Sequence, residues 1–141
     1  TGLIPSPVPA GKTVDEILLN EAEYRMRLYL GPNARALRRL FVEMVCEEHP
    51  VIRSAYEHTY LKPIARIRSR LWEFKTAGAL PAGTSVTRLL DAIEGSVLMR
   101  AFCLPPDDIE CFLSEISEYV ENLVGDQLHG PGLERTLRSV S

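Results

Sequence analysis

Residues 51–102 read VIRSAYEHTYLKPIARIRSRLWEFKTAGALPAGTSVTRLLDAIEGSVLMRAF and decide the fold. Apolar residues recur every three or four positions in the first half, on one face of a predicted α-helix: Ile52, Tyr56, Tyr60, Ile64, Ile67, Leu71 and Phe74. Gly78 and Pro81 end that helix, because glycine accepts a left-handed cap and proline lacks an N–H. The same spacing predicts a second helix: Val86, Leu89, Leu90, Ile93, Val97 and Phe102. Two consecutive apolar faces require burial, so we expect further helices around them.

Helix caps and helix breakers divide the rest of the chain. Thr13 and Glu16 have the spacing of a capping box, which predicts the start of a first helix, and Asn33 can cap a second. Pro105 and Pro106 end the fourth helix, and a fifth, acidic helix follows them. No strand pattern occurs. The sequence therefore predicts an all-α bundle of about five helices.

Composition marks the predicted domain boundaries. Residues 1–12 are rich in proline and are expected to form an extended linker. Residues 13–128 form the helical domain, and residues 129–141, rich in glycine, proline and serine, are expected to form a flexible tail.

A proline lies inside the third predicted helix. Pro63 has no N–H and cannot donate to the carbonyl oxygen of Thr59, one helical turn earlier. We therefore expect a kink near Thr59 and an unpaired hydrogen-bond acceptor at that point.

Net charge and cysteine content indicate which kinds of partner and which compartment to expect for this protein. The net charge of −3 disfavours a nucleic-acid-binding segment, which would normally present a basic face. Three cysteines, an odd number without a pairing pattern, indicate reduced thiols and a cytoplasmic protein. No uncharged apolar run approaches the roughly 18 to 20 residues that span a bilayer, so no membrane partner is expected.

No constellation of residues predicts catalysis. Cys46 and His49 form a single C-x-x-H pair without a second pair at ligand spacing, which disfavours a zinc site. No nucleophile motif and no pair of carboxylates in an apolar setting is present. We therefore expect no enzyme activity, no catalytic residue, no metal and no cofactor.

Large apolar and amphipathic side chains on the first four helices predict either a packed core or a ligand pocket. Tyrosines with polar tips on apolar helix faces suit a pocket, where a few polar groups orient a mostly apolar guest. Tyr56 and Tyr60 lie four residues apart, one turn before Pro63. The predicted ligand-binding residues are Tyr24, Leu28, Phe41, Met44, Tyr56, Tyr60, Met99 and Phe102.

The order of these features resembles the C-terminal effector-binding and dimerisation domain of the tetracycline-repressor (TetR) family. The likeness covers about residues 12–128. The matching segments are RALRRLFVE at 35–43, EHPVI at 48–52, LKPI at 61–64, AGALP at 77–81 and LLDAIEG at 89–95.

The resemblance implies a function that the spacing alone does not show. Members of this family are bacterial transcription regulators that bind a small, usually lipophilic effector between the helices preceding the last two. They bind operator DNA through an N-terminal helix-turn-helix domain. No such segment precedes Thr1 in this chain, so we expect the chain to sense and dimerise but not to bind DNA itself.

The resemblance also implies a homodimer joined by the last two helices of each chain. Gly95 agrees with this, because a glycine in a helix interior costs about 1 kcal/mol relative to alanine and favours a close helix approach. The predicted interface residues are Ile93, Gly95, Val97, Phe112, Ile116, Tyr119 and Val120.

A second interpretation remains open. The chain could be a homodimeric helical interaction module with a solid core and no ligand. An enclosed cavity among the first four helices would favour the ligand-sensing interpretation over this one.

Overall fold

The computed structural model describes residues 11–46 and 49–130, and every regular element in these ranges is helical. The helices are α1 (Val14–Leu30), α2 (Ala34–Cys46), α3 (Pro50–Tyr56), α4 (Lys62–Thr76), α5 (Val86–Cys103), α6 (Ile109–Leu113) and α7 (Ile116–His129). A π turn, Glu57–Leu61, joins α3 to α4, and a 3-10 turn, Pro106–Asp108, precedes α6. The prediction of an all-α fold is confirmed. Most of the predicted linker and tail lie outside the described residues.

The helix caps follow from local hydrogen bonding. Thr13 Oγ1 accepts from the backbone N–H of Glu16 at 3.2 Å and begins α1. Ser85 Oγ accepts from Arg88 N at 3.2 Å and begins α5. Gly78 has φ +85°, the left-handed conformation expected after the end of α4.

Helix α1 lies at the centre of the bundle. It packs mainly against α5 and α7 and more lightly against α2. Its side chains Ile17, Leu18, Ala22 and Met26 are fully buried. The sequence interpretation centred the fold on residues 51–102, whereas the structure arranges α5 and α7 around α1. None of the described helices combines the length and the apolar character needed to cross a lipid bilayer.

Of the three helices predicted after residue 50, the fourth is continuous as α5, and the third and fifth are interrupted. The third predicted helix contains the π turn between α3 and α4. The fifth divides into α6 and α7 at Ser114 and Glu115, where a continuous helix was predicted. The Ser114 hydroxyl donates to the Cys111 carbonyl at 2.6 Å, and the Ser114 N–H donates to the same oxygen at 3.2 Å. A serine that bonds to its own preceding turn competes with the helical pattern, and this explains the break.

Candidate functional site

The π turn lies where the sequence predicted a kink. Lys62 N–H donates to the carbonyl of Glu57, five residues earlier, so the turn is one residue wider than an α-helical turn. Pro63, buried at the start of α4, has no N–H to offer to the Thr59 carbonyl. The interruption therefore takes the form of a π turn.

An arginine of α1 takes the acceptor that Pro63 leaves. Arg25 Nη1 donates to the Thr59 carbonyl oxygen at 3.0 Å, and both residues are buried. Arg25 Nε also donates to Glu21 Oε1 at 2.7 Å, an i, i+4 ion pair along α1. The expectation that this carbonyl would be unpaired is therefore wrong, because Arg25 crosses from the central helix to bond it.

Helix α5 adds a second carboxyl group to this pair. When protonated, Glu94 donates to the carboxylate of Glu21. Burial, reinforced by the negative charge of Glu21 and opposed by Arg25, raises the pKa of Glu94 to about 8. Burial also raises the pKa of Glu21, against the attraction of Arg25. We call Glu21, Arg25 and Glu94 the polar cluster.

Several polar atoms at this point have no hydrogen-bond partner among the described residues. They are Arg25 Nη2, Tyr60 Oη and Glu94 Oε1, all of them buried. Burying such a group without a partner costs about 1 to 3 kcal/mol. The polar cluster and the neighbouring Tyr60 therefore keep two donors and an acceptor available inside the bundle.

A group of rings packs beside the polar cluster. The centroid of Phe41 lies 4.2 Å from that of Tyr60 and 5.8 Å from those of Tyr56 and Phe102. Tyr29 lies 6.1 Å from Tyr60 and from Phe102. These are the edge-to-face and offset contacts that aromatic pairs prefer. We call these five residues the aromatic cluster.

The two clusters touch through one residue. The Arg25 guanidinium lies 5.4 Å from the centroid of the Tyr60 ring, within the range of a cation–π contact. We call the place where the two clusters meet the junction. It is built by α1, α2, the α3–α4 turn and α5, with the charged groups on one side and the aromatic rings on the other.

The predicted ligand-binding residues occupy four places. Phe41, Tyr56, Tyr60 and Phe102 meet in the aromatic cluster, where their own rings fill the space. Tyr24 and Leu28 line a small groove of about 180 Å³ at the end of α1. Met44 is half-buried on α2. Met99 is 64% exposed, because it follows the buried Val97 by two residues and so lies on the opposite side of α5.

An apolar groove lies on the outer side of the aromatic cluster. Its lining consists of Phe41, Val42, Val45 and Cys46, and its volume is about 240 Å³. Val42 and Val45 are 59% and 85% exposed. Phe41 thus belongs both to this surface groove and to the aromatic cluster.

The predicted interface residues divide in a similar way. Four of them are buried in the core of their own chain: Ile93, Val97, Ile116 and Val120. Within one chain they lie in the core where α5 and α7 pack against α1, so they are not on the surface that a second chain would meet. Phe112 and Tyr119 are half-buried, with ring centroids 5.4 Å apart, and Gly95 is exposed.

An open groove of about 500 Å³ runs along the outer face of α5 beside α7. Gly95, Met99, Cys103 and Tyr119 line it, together with Asp91, Ala92, Ser96 and Arg100. A Cβ atom placed on Gly95 would meet nothing within 4 Å. Cys103 Sγ lies 3.4 Å from Met99 Sδ. We call this surface the α5–α7 groove.

The sequence interpretation missed the polar cluster, although a signal was present. Glu21 and Arg25 fall on the apolar stripe of α1 that begins at Ile17 and ends at Leu28. A charged pair at i, i+4 within such a stripe indicates a buried ion pair rather than a solvated one. Glu94, four residues after Leu90, lies on the buried stripe of α5 in the same manner.

His49, considered above as a zinc ligand, caps a helix in the structure. Its Nδ1 accepts from the backbone N–H of Val51 at 3.2 Å and caps α3. Among the residues that the structure describes, no three histidine, cysteine, aspartate or glutamate side chains gather as a metal site would require.

Comparisons of the chain with protein-family models, with curated proteins and with solved structures return no match.

Proposed function

We propose that this chain is the ligand-sensing and dimerisation domain of a TetR-like cytoplasmic transcription regulator. It acts by binding a small lipophilic effector rather than by catalysis. The full regulator would bind operator DNA through a separate N-terminal domain. The likeness in sequence order supports this proposal, and so does the junction of aromatic and polar groups between four helices.

One observation carries the proposal. Arg25 Nη2, beside the aromatic cluster, and the Tyr60 hydroxyl, within it, are buried donors without an acceptor among the described residues. A flat lipophilic guest with one polar end matches both sides of this junction. The rings would pack against its apolar part, and the donors would bond and orient its polar end. Phe41 separates the junction from the apolar surface groove, so its displacement would admit the guest.

The effector would act by population shift. A guest at the junction replaces ring–ring contacts that hold α2 and the α3–α4 turn against α1 and α5. A ligand that binds one arrangement of these helices more tightly moves the population toward it.

The test uses a probe with the expected chemistry, 1-anilinonaphthalene-8-sulfonate, which is flat, lipophilic and anionic at one end. Saturable binding of one probe per chain is expected, and Tyr60→Phe should weaken it by about tenfold through loss of one hydrogen bond. Tyr119→Phe is the matched control, because Tyr119 lies outside both clusters and contacts Ser96. Absence of saturable binding, or equal binding by both variants, would count against the proposal.

A second candidate function is a ligand-free homodimeric interaction module. The packing of the aromatic cluster favours it, because ring centroids only 4.2 to 6.1 Å apart leave the junction filled by the chain's own side chains. A partner helix on the α5–α7 groove would then be the main function. Dimerisation without probe binding would favour this candidate.

A further inference from the structure

The bond between Arg25 and the Thr59 carbonyl connects α1 to the π turn, at the oxygen to which Pro63 cannot donate. We propose that the polar cluster is a proton-controlled latch on the π turn. With Glu94 protonated, Arg25 holds the Thr59 carbonyl; with Glu94 ionised, Arg25 turns to the two carboxylates and releases it.

The closed state follows from the balance of charge. Arg25 and Glu21 form a buried ion pair at 2.7 Å. A protonated Glu94 adds no charge and donates to Glu21, so the cluster as a whole is neutral. A neutral, hydrogen-bonded cluster is the arrangement that burial penalises least. In this state the second arm of the guanidinium is free to bond the turn.

The open state follows from adding a second negative charge. The two carboxylates then compete for one guanidinium. Arg25 Nη2 and Glu94 Oε1 both lack a hydrogen-bond partner, so they are not bonded to each other in the closed state. The guanidinium is a rigid planar fork, so turning Nη2 toward Glu94 displaces Nη1 from the Thr59 oxygen. The Glu94 proton moves to solvent in this step, and no covalent bond changes.

Arg25 is the cation that responds when Glu94 loses its proton. The groups acting on Glu94 are Glu21, Arg25 and Tyr29 from α1, and Tyr60 from the π turn. Burial raises the pKa of both tyrosines, so they stay neutral while Glu94 titrates. The charged side chains of α4 and α7 that the structure describes have no part in the raised pKa of Glu94.

Release of the latch would change the π turn that connects α3 to α4. The Thr59 carbonyl would lose the Arg25 donor, and Pro63 has no N–H to replace it. The π turn would then lose its bond to the central helix, which loosens α3 and its packing on α2. The latch thereby couples one protonation in the core to the orientation of two helices.

The test follows two carbonyl groups by NMR in the whole chain, as the pH is raised from about 6 to about 10. The side-chain carbon of Glu94 and the backbone carbonyl carbon of Thr59, both labelled with ¹³C, are expected to shift with one common midpoint near pH 8. In Glu94→Gln, which keeps the shape and cannot ionise, the Thr59 signal should stay at its low-pH position throughout. Asp91→Asn, an exposed carboxylate of the same helix, is the matched control and should behave as the unmodified chain.

Specific results would overturn the proposal. A titration midpoint of Glu94 near the ordinary pKa of 4.5 would show that this carboxyl group is no switch. A Glu94 titration that leaves Thr59 unmoved would remove the link to the turn. A Thr59 shift that persists in Glu94→Gln would assign the change to another group. Should Glu94→Gln fail to fold, the comparison of the two midpoints in the unmodified chain still decides.

Discussion

Each face of α5 carries an exception to the usual distribution of polar and apolar groups. The inner face carries Glu94 into a buried cluster with Glu21 and Arg25. The outer face exposes Gly95 and Met99 along an open groove. Buried charges are retained only where partners hold them, and exposed apolar surface is tolerated in small amounts or covered by another molecule. The inner face is therefore covered by the chain's own helices, whereas the outer face is open to contacts with another molecule.

The largest expected effect is on the inner face. Arg25→Met leaves Glu21 and the Thr59 carbonyl buried without their donor, and we expect a loss of about 3 to 5 kcal/mol in the free energy of unfolding. Arg27→Met is the matched control, because Arg27 pairs with Glu23 at the same i, i+4 spacing on the exposed side of α1. Its loss should stay below about 1 kcal/mol. Urea unfolding measures both, and equal losses would mean that the inner pair is not buried in solution.

The dependence of stability on pH is the next effect. The folded pKa of Glu94 is raised to about 8 from 4.5, so the folded chain keeps a proton that the unfolded chain loses. This contribution to stability is complete below pH 4.5 and declines as the pH rises through 8. The steepest decline is about 1.4 kcal/mol per pH unit. Unfolding curves at several pH values should show it, and Glu94→Gln should flatten the curve. A stability that rises over this range in both chains would contradict the assignment.

A smaller effect is expected on the outer face. Gly95→Ala should raise the stability of the monomer by about 0.5 to 1 kcal/mol, because alanine is the better helix former and its Cβ meets nothing within 4 Å. If a second copy packs closely on the α5–α7 groove, the same change should weaken the dimer. Sedimentation over a concentration series separates the two quantities. A chain that is monomeric at micromolar concentration would remove the homodimer from the proposal.

The smallest expected effect is on DNA binding. Lys62, Arg66 and Arg70 form an exposed stripe on α4, but the net charge of the chain is −3. Non-specific binding needs several phosphate contacts, which an acidic domain opposes. We therefore expect no shift of a duplex in a gel at physiological salt with micromolar protein. A salt-sensitive shift would assign this chain a nucleic-acid role of its own.

Local signals predicted local structure well. The capping residue Thr13 and the helix-ending Gly78 have the positions and bonds that their chemistry predicts. Pro63 also marks the correct turn, since the loss of one N–H is a property of the residue itself.

Properties that depend on the assembled bundle could not be predicted in this way. Nothing local to Thr59 indicates that Arg25, 34 positions earlier, would bond its carbonyl. The resemblance predicts that Ile116 lies at a chain–chain interface, but neither the resemblance nor the apolar stripe says which helix covers this residue. In the structure α1 is that helix, so Ile116 is fully buried within its own chain.

The central place of α1 has a consequence for the order of folding. Its main partners, α5 and α7, are the last long helices of the described chain, and His129 of α7 contacts Asp15 of α1 at 2.7 Å. Contacts between distant segments form slowly, because a long loop must close before they are made. During synthesis on the ribosome, α1 emerges before α5 and α7, so part of its apolar surface stays uncovered until α7 has been made. A chaperone that binds exposed apolar segments would therefore find a target in α1 during this interval.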